Sequence, residues 1–134
     1  MSDLNRVALM EYRIEQAREY LADAERSLLS ASYRTSVNRS YYCIFQAMRA
    51  VLALDGFDSK KHSGIIAEFR RRYIRTGVFG STMSDIIGNA FEVRNSSDYE
   101  DFYIVSSTEA KTQLSDAKLF FDTVESYISA NGKS

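Results

Sequence analysis

The first thirty residues carry a seven-residue apolar repeat, and this repeat restricts the fold more than any other feature of the sequence. Two positions of the repeat are apolar throughout, the first occupied by Val7, Ile14, Leu21 and Leu28 and the second by Met10, Ala17, Ala24 and Ala31. This spacing places every member on one narrow stripe of an α-helix. We therefore predict one long helix over residues 4 to 30, whose alanines allow a neighbouring helix to approach closely.

Four further segments repeat their apolar residues with helical periodicity. Their predicted bounds are about Tyr33 to Leu54, Ser63 to Arg75, Ser81 or Thr82 to Arg94, and Ser106 to Ser129. The turn after the first helix is very short, which predicts an antiparallel hairpin of the first two helices. The chain contains no proline and six glycines, and no segment alternates as a strand does. We predict an all-α, up-and-down bundle of four to five helices that forms a single domain over residues 1 to 134.

The single cysteine and the lack of long apolar runs indicate where such a chain works. Cys43 lies among Tyr41, Tyr42, Ile44 and Phe45, a setting typical of a buried, inert thiol. One cysteine excludes an internal disulfide and fits a reducing cytosol. The amino terminus has the pattern of a helix rather than of a signal peptide, and no apolar run reaches membrane length. We expect a soluble, cytoplasmic protein with no membrane segment.

Charge is divided unequally along the chain. Residues 26 to 75 contain ten Arg or Lys against three acids, a net charge of +7, whereas residues 85 to 125 contain three against nine, a net charge of −6. Two solvated faces of opposite sign explain this division and also suit self-association. Alternatively, the basic half attracts phosphate-bearing ligands or an acidic partner. In that case RNA phosphates would contact the four arginines that otherwise form a solvated helix end, Arg70, Arg71, Arg72 and Arg75.

Two clusters of polar residues are candidates for a functional site. The first, Arg94 to Tyr103, is expected to begin at the end of the fourth helix and to continue as a loop. The second runs from Lys60 to Gly64. Arg94 can bind a phosphate through its guanidinium fork, or it can pair with Asp98 four residues later on the same helix. Whether the two clusters can act together depends on whether they face each other.

The second cluster contains His62, the only histidine of the chain. His62 can supply an imidazole beside Arg94 if the third helix starts there, within one subunit or from a second one. The alternative is that it caps or packs the start of that helix. With Lys61 and Ser63 it also opens a helix whose free backbone amides attract an anion. The nearby carboxylates lack a set of His or Cys with ligand spacing, so we predict no metal site and no cofactor.

Three segments together resemble one known family. The run Arg39-Ser40-Tyr41-Tyr42-Cys43-Ile44-Phe45-Gln46-Ala47 resembles the SYYAxFHA signature in the second helix of HEPN domains. Lys60-Lys61-His62-Ser63-Gly64 is similar to the K-T-H-S-G of the small stand-alone HEPN proteins grouped as UPF0332. Arg94 to Tyr99 resembles the R-x-x-x-D-Y of the same group. The pattern covers most of the chain, from about Tyr33 to Tyr127, in the same order and spacing.

The resemblance implies a helical bundle that commonly forms a homodimer. It also implies frequent pairing with a minimal nucleotidyltransferase, in a prokaryotic toxin–antitoxin or stress-response system. Active members are metal-independent endoribonucleases that use an arginine, the polar residue after it and a histidine several residues further on. Arg94 and Asn95 match the first two, but Tyr99 stands five residues after Arg94 and no histidine follows before Tyr103. At Gln46, too, the signature often has a histidine.

The missing histidine decides between the functions that the resemblance implies. Metal-free RNA cleavage needs an acid and a base that titrate near the working pH. A tyrosine titrates near 10, and a mismatch of about 3 units is worth roughly 4 kcal/mol. Tyr99 is therefore a poor replacement for the base. We expect an accessory module without efficient catalysis of its own, which binds nucleotide, RNA or a nucleotidyltransferase partner through Arg94, Asn95, Asp98, Tyr99, Lys61, His62 and Ser63.

Two alternatives stay open at this point. One is a metal-independent endoribonuclease toxin that uses Arg94, Asn95 and a substituted base such as Tyr99. The other is a purely structural helical adaptor that needs no ligand. We also predict a homodimer with Arg94 to Tyr103 at or near the subunit boundary. The reasons are the charge division, the aromatic residues of the first cluster and the dimerisation that is common in the family it resembles.

Overall fold

The computed structural model describes residues 3–131, and most of these residues lie in five α-helices. The helices are α1 (Asp3–Leu29), α2 (Tyr33–Leu54), α3 (His62–Phe69), α4 (Ser81–Tyr99) and α5 (Ser107–Ala130), and a π-helical segment, Arg70–Ile74, follows α3. No β-strand occurs within residues 3–131. The predicted all-α bundle is therefore confirmed. No helix in this part of the chain is both long enough and apolar enough to span a bilayer.

The first two helices form the predicted hairpin. They are joined by residues 30–32, where Ala31 adopts a left-handed φ of 59°. Ala17 and Ala24 of α1 are completely buried, and α1 makes its most extensive contact with α2. Because an alanine adds so little bulk, the two backbones lie close enough for the Ser36 hydroxyl to donate to the Ala24 carbonyl at 2.9 Å.

Helix α2 lies at the centre of the bundle. It packs against each of the other four α-helices. Ile44, Met48 and Val51 on α2 are 1% exposed or less. Phe69 of α3 and Phe120 of α5 are fully buried beside them in the same core. A residue on α2 can therefore contact side chains from several helices, and the functional site described below depends on this.

The third helical segment differs from the single helix predicted over Ser63 to Arg75. Helix α3 begins one residue earlier, and from Arg70 the chain continues as a π-helix in which the Arg75 amide donates to the Arg70 carbonyl at 2.9 Å. A π turn holds one more residue than an α turn. Within it, Arg70 donates to the Ser84 carbonyl at 3.1 Å and Tyr73 donates to Asp55 at 2.7 Å.

The prediction that α4 ends near Arg94 is wrong, because the helix continues to Tyr99. Asn, Ser and Asp are weak helix formers, which is why this stretch had the pattern of a loop. Contacts from the rest of the protein outweigh that preference. Ser97 is buried beneath Arg34, whose Nη1 lies 3.4 Å from the Ser97 hydroxyl. Arg94 also pairs with Asp98 across one helical turn. The connecting loop is therefore only residues 100–106.

The start of α5 carries half of a capping box. The Ser106 hydroxyl accepts from the Glu109 amide at 3.0 Å, as a helix N-cap does. The Glu109 carboxylate does not return to Ser106; it accepts a 2.6 Å hydrogen bond from the Tyr103 hydroxyl. This bond to the carboxylate raises the pKa of Tyr103 to about 12. The arrangement fixes the end of the loop that follows α4.

Candidate functional site

Three helices contribute to one cluster of aromatic and basic side chains. Helix α2 contributes Tyr41, Tyr42 and Phe45, the start of α3 contributes His62, and α4 contributes Arg94. We call these five residues the Arg94–His62 site. Arg94 and His62 both lie against the same two tyrosines, so the two polar clusters of the sequence do face each other. Both clusters therefore contribute to this site.

His62 is held as a neutral imidazole at the start of α3. Its ring stacks on Phe45 with 4.1 Å between centroids, and its Nδ1 lies 2.8 Å from the Tyr41 hydroxyl. Burial lowers the pKa of His62 below its ordinary value, and the charges of Arg94 and Arg49 lower it further. Burial raises the pKa of Tyr41 to about 12. The tyrosine hydroxyl therefore keeps its proton, which favours donation to Nδ1 and leaves the imidazole proton on Nε2.

Arg94 is fixed among three aromatic rings. Its Cζ lies 5.1 Å from the ring centre of Tyr41, 5.6 Å from that of Tyr42 and 5.5 Å from that of Tyr99. Its Nη2 donates to the Tyr42 hydroxyl at 3.2 Å. Its Nε lies 3.0 Å from an Asp98 carboxylate oxygen without the alignment of a hydrogen bond, so the contact is an ion pair. The predicted i,i+4 pair is present, while Nη1 has no hydrogen-bond partner among the described residues.

A second ion-pair network, formed by Arg13, Arg49 and Asp58, lies next to the Arg94–His62 site. Arg13 is only 5% exposed and donates to Asp58 at 3.0 Å and to the Arg49 carbonyl at 3.2 Å. Arg49 Nη2 donates to Asp58 Oδ1 at 3.3 Å, and the Cζ of Arg49 lies 5.8 Å from the centre of the Phe45 ring. Burial acts to raise the pKa of Asp58, but hydrogen bonds from the Ser59 amide and from Arg13 outweigh it and lower the pKa. Asp58 thereby anchors the loop that leads into His62.

The two networks leave the site with more positive than negative charge. Three arginines, at positions 13, 49 and 94, face only two carboxylates, Asp58 and Asp98. The sequence interpretation missed Arg13 and Arg49. Arg49 could have been found from its spacing, because Tyr42, Phe45 and Arg49 stand at i, i+3 and i+7 and so share one face of α2. Arg13 was harder to find from the sequence, because its partner Asp58 lies 45 residues away.

The other predicted ligand-binding residues lie at different distances from this centre. Tyr99 covers Arg94 and is 71% exposed. Lys61 is exposed at the N-cap of α3 beside His62. Ser63 instead lines a separate groove between α3 and α4. Asn95 is half-buried on α4 and makes none of the contacts described above. The structure thus brings Arg94, Asp98, Tyr99, Lys61 and His62 together but leaves Asn95 and Ser63 at the edge.

Gln46, where the family signature often has a histidine, is half-buried on α2. Its Oε1 has no hydrogen-bond partner within residues 3–131. The residue therefore contributes no titratable group to the site.

The remaining candidates have structural roles. Arg71 and Arg72 both bind Glu68, and Arg70 binds Ser84. The arginine cluster after α3 is thus largely engaged within the chain, which favours the solvated helix end over an RNA contact.

Cys43 is fully buried, and burial raises the pKa of its thiol to about 12, as expected for an inert side chain. In the described part of the chain, no group of His, Cys, Asp and Glu converges as metal ligands do.

Protonation of His62 is expected to destabilise the fold. Its pKa in the folded protein lies below the ordinary value of 6.5, so the unfolded chain binds the proton first as the pH falls. The neutral imidazole of His62 contributes its full stabilisation of the fold above about pH 6.5, and this contribution is lost progressively as the pH falls below that value. Urea unfolding at several pH values between about 5 and 7.5 measures this loss. In the His62→Gln variant this part of the pH dependence should disappear, and an unchanged dependence would contradict the assignment.

Comparisons with known proteins agree with the resemblance seen in the sequence. A family model of the HEPN domain matches residues 10–127. A UPF0332 protein of Thermotoga maritima is 32% identical over 120 residues, which cover 90% of this chain and 91% of that protein. A UPF0332 protein of Archaeoglobus fulgidus is 30% identical over 122 residues, covering 91% and 97%. A Methanocaldococcus jannaschii protein named "Putative toxin MJ0142" is 28% identical over 119 residues, covering 89% and 81%.

Proposed function

This chain belongs to the HEPN domain family, and from that premise we propose that it binds the phosphates of single-stranded RNA or of a nucleotide at the Arg94–His62 site. It does so as a homodimeric, toxin-related module that works with a minimal nucleotidyltransferase and lacks efficient catalysis of its own. One observation carries the proposal: Arg94 and His62 meet on the same pair of tyrosines in a site with surplus positive charge.

The first argument concerns the phosphate group. Arg94 has Nη1 without a hydrogen-bond partner among the described residues, and the imidazole of His62 offers its Nε2 proton. Arg49 adds charge close by, since its Cζ lies 5.8 Å from the centre of the Phe45 ring on which His62 stacks. Donors of this kind form strong hydrogen bonds with anions, and a guanidinium fork matches the geometry of phosphate oxygens. A phosphate bound here would also neutralise the excess charge of the three arginines.

The second argument concerns the base attached to the phosphate. Tyr99 is 71% exposed, and its ring lies 5.5 Å from the Arg94 guanidinium. An exposed aromatic ring beside a phosphate-binding group is the usual platform for an unpaired base, and stacking is worth about 1–3 kcal/mol per base. Stacking does not depend on which base is present. The proposed ligand class is therefore single-stranded RNA or a nucleotide, with little preference for sequence.

The third argument concerns the toxin-related role. Two relatives that cover most of this chain are named "Putative toxin MJ0142" and "Putative toxin MJ0605", and the family resemblance implies frequent pairing with a minimal nucleotidyltransferase. A toxin-related module that retains RNA binding without turnover would still sequester RNA or present it to its partner.

A metal-independent endoribonuclease is the second candidate, and the position of His62 favours it. The imidazole that is missing between Asn95 and Tyr103 is supplied from α3, beside Arg94. However, an imidazole whose Nδ1 accepts from Tyr41 carries its proton on Nε2. In that form it cannot take the proton of an attacking 2′-hydroxyl at Nε2, which is why binding ranks above cleavage.

Binding of RNA should weaken as the pH rises. A bound phosphate raises the pKa of the neighbouring His62, so binding takes up a proton, and affinity should fall from about pH 6 to about pH 8. Fluorescence anisotropy with a labelled single-stranded RNA of about ten nucleotides measures the affinity. The His62→Gln variant should lose the pH dependence, while Lys111→Gln, an exposed change on α5, should keep it. Equal pH dependence in wild type and His62→Gln would refute the role of His62.

The same samples distinguish binding from cleavage. RNA that stays intact during prolonged incubation with a metal chelator supports the binding module. Cleavage under those conditions, absent when a DNA of the same base sequence replaces the RNA, would establish the endoribonuclease instead. The DNA lacks the 2′-hydroxyl that metal-free cleavage requires.

A further inference from the structure

A groove between α4 and the start of α5 lies apart from the Arg94–His62 site. Its volume is about 440 Å³, which is within the range of about 300–1,000 Å³ that is usual for ligand sites. Helix α4 contributes Glu92 and Val93 to its lining, and α5 contributes Glu109 and Gln113. None of the five residues of the Arg94–His62 site lines this groove. We call it the α4–α5 groove.

Gln113 is a polar residue at a core position of α5. The buried residues Ala110, Gln113 and Ala117 follow one another at helical spacing, so an apolar side chain is expected in the middle position. Gln113 is only 5% exposed, and its side chain makes no hydrogen bond with any of residues 3–131. A buried amide without a partner costs free energy, and such groups are rare in folded proteins. Since Gln113 lines the α4–α5 groove, a ligand in the groove would supply the missing partner.

Two carboxylates of the groove have no cation beside them. Glu92 is exposed and forms no ion pair within the described part of the chain. Glu109 accepts from the Tyr103 hydroxyl through Oε2, which leaves Oε1 without a hydrogen bond among the described residues. Both carboxylates act on Tyr103: after the bond to Glu109 and burial, the charges of Glu109, Glu100 and Glu92 also raise the pKa of its hydroxyl. The groove therefore lies in a negative field, which attracts a positive group.

We propose that the α4–α5 groove binds a guanidinium group, such as that of an arginine side chain. A guanidinium has five N–H donors in a flat, fixed arrangement and always carries a positive charge. It can therefore donate to the carboxylates of Glu92 and Glu109 and to the amide oxygen of Gln113. An ammonium has only three donors and is more strongly hydrated. The methylene chain next to the guanidinium would lie against Val93, the apolar residue in the lining.

Capped amino acids test the chemistry of the ligand. N-acetyl-argininamide carries the guanidinium, N-acetyl-citrullinamide has the same shape without the charge, and N-acetyl-lysinamide has the charge without the fork. Titration of the ¹⁵N-labelled full chain, followed by NMR at an ionic strength of about 0.15 M, measures weak binding while it screens unspecific attraction.

N-acetyl-argininamide should shift the signals of Gln113 and of its neighbours in the first turns of α5. The citrulline compound should bind at least about tenfold more weakly, because it lacks the charge that strengthens hydrogen bonds to carboxylates, and the lysine compound should also bind more weakly. Equal binding of the arginine and citrulline compounds, lysine binding as tightly as arginine, or shifts spread over the whole acidic surface would overturn the proposal.

Two substitutions test the residues of the groove. Glu92→Gln removes a charge from an exposed position, and Gln113→Leu removes the buried amide. Each should weaken binding of N-acetyl-argininamide by about three- to tenfold. Glu25→Gln, the same change at an exposed position of α1 outside the groove, should leave binding unchanged.

A thermal melt of Gln113→Leu separates binding from folding. This variant should melt at the temperature of the wild type or higher, because it loses an unpartnered buried polar group. Weaker binding in a protein of undiminished stability excludes misfolding as the cause. Unchanged binding in either Glu92→Gln or Gln113→Leu, or a lower melting temperature for Gln113→Leu, would contradict the assignment.

A second comparison identifies the source of the guanidinium. Agmatine is a free guanidinium compound, whereas N-acetyl-argininamide reproduces an arginine within a protein chain. Tighter binding of agmatine assigns the groove to a small free cation, and tighter binding of N-acetyl-argininamide assigns it to an arginine of a protein partner. If neither shifts the signals of Gln113 at millimolar concentration, the groove is not a guanidinium site. The RNA titrations are independent of this result, because the two sites share no residue.

Discussion

Replacing Phe69 by alanine is expected to lower the free energy of unfolding by about 3–5 kcal/mol. Phe69 is completely buried, and its ring lies 5.5 Å from Tyr73, 5.7 Å from Phe79 and 5.6 Å from Phe120. It thereby joins α3, the π-helical segment, the following loop and α5. Alanine would remove the ring and leave a cavity among three other aromatic rings, which the rigid helices cannot close. Small domains have only about 5–15 kcal/mol of stability in total.

Urea unfolding followed by the helical circular dichroism signal measures this loss. Leu119→Ala is the control, because Leu119 is 51% exposed on α5 and its removal should change stability by less than about 0.5 kcal/mol. All variants should be compared at one protein concentration, because the stability of any protein that self-associates depends on its concentration. A loss below about 1 kcal/mol for Phe69→Ala would contradict the packing described for α3.

The same substitution bears on the functional site. Phe69 anchors the carboxyl end of α3, and His62 stands at the amino end of that helix. If α3 loosens, the stacking of His62 on Phe45 is weakened. RNA binding should therefore fall in Phe69→Ala even though Phe69 lies away from the site.

Apolar periodicity made most of the fold predictable. The seven-residue stripe of the first helix and the short turn after it define the hairpin, because burying that stripe requires an adjacent helix. Two details could not be read in this way. The π turn at Arg70 preserves the inward direction of Phe69 and Tyr73, so it leaves no trace in the periodicity. The last turn of α4 has weak helix formers, and its stability comes from Arg34 and other distant residues.

The site was partly predictable for the same physical reasons. The Arg94–Asp98 pair follows from helical spacing alone, and it is present. The meeting of Arg94 with His62 depends on how α3 and α4 pack on α2, which no local pattern specifies. The Arg13–Asp58–Arg49 network joins three separate segments and was missed. Local sequence thus identified the chemically capable residues, while long-range packing determines which of them act together.

Replacing Arg94 by alanine is expected to weaken RNA binding at least tenfold while the protein stays folded. A charged hydrogen bond to phosphate is worth about 1.5–3 kcal/mol, and each 1.4 kcal/mol is a factor of ten in affinity. Arg94→Lys should recover only part of the affinity, because lysine keeps the charge but loses the planar fork. Anisotropy titrations beside thermal melts measure both properties. Arg71→Ala is the matched control, since Arg71 is exposed and bound to Glu68.

Asp98→Asn separates the binding role of Arg94 from its structural role. The change removes the ion pair at 3.0 Å, so it should lower the melting temperature as Arg94→Ala does. Its effect on RNA should be the opposite, because it frees the guanidinium and removes a carboxylate that repels phosphate. If Arg94 binds phosphate, Asp98→Asn therefore keeps or raises the affinity that Arg94→Ala destroys. If both variants lose stability and affinity together, Arg94 only supports the fold, and the Arg94–His62 site is not the ligand site.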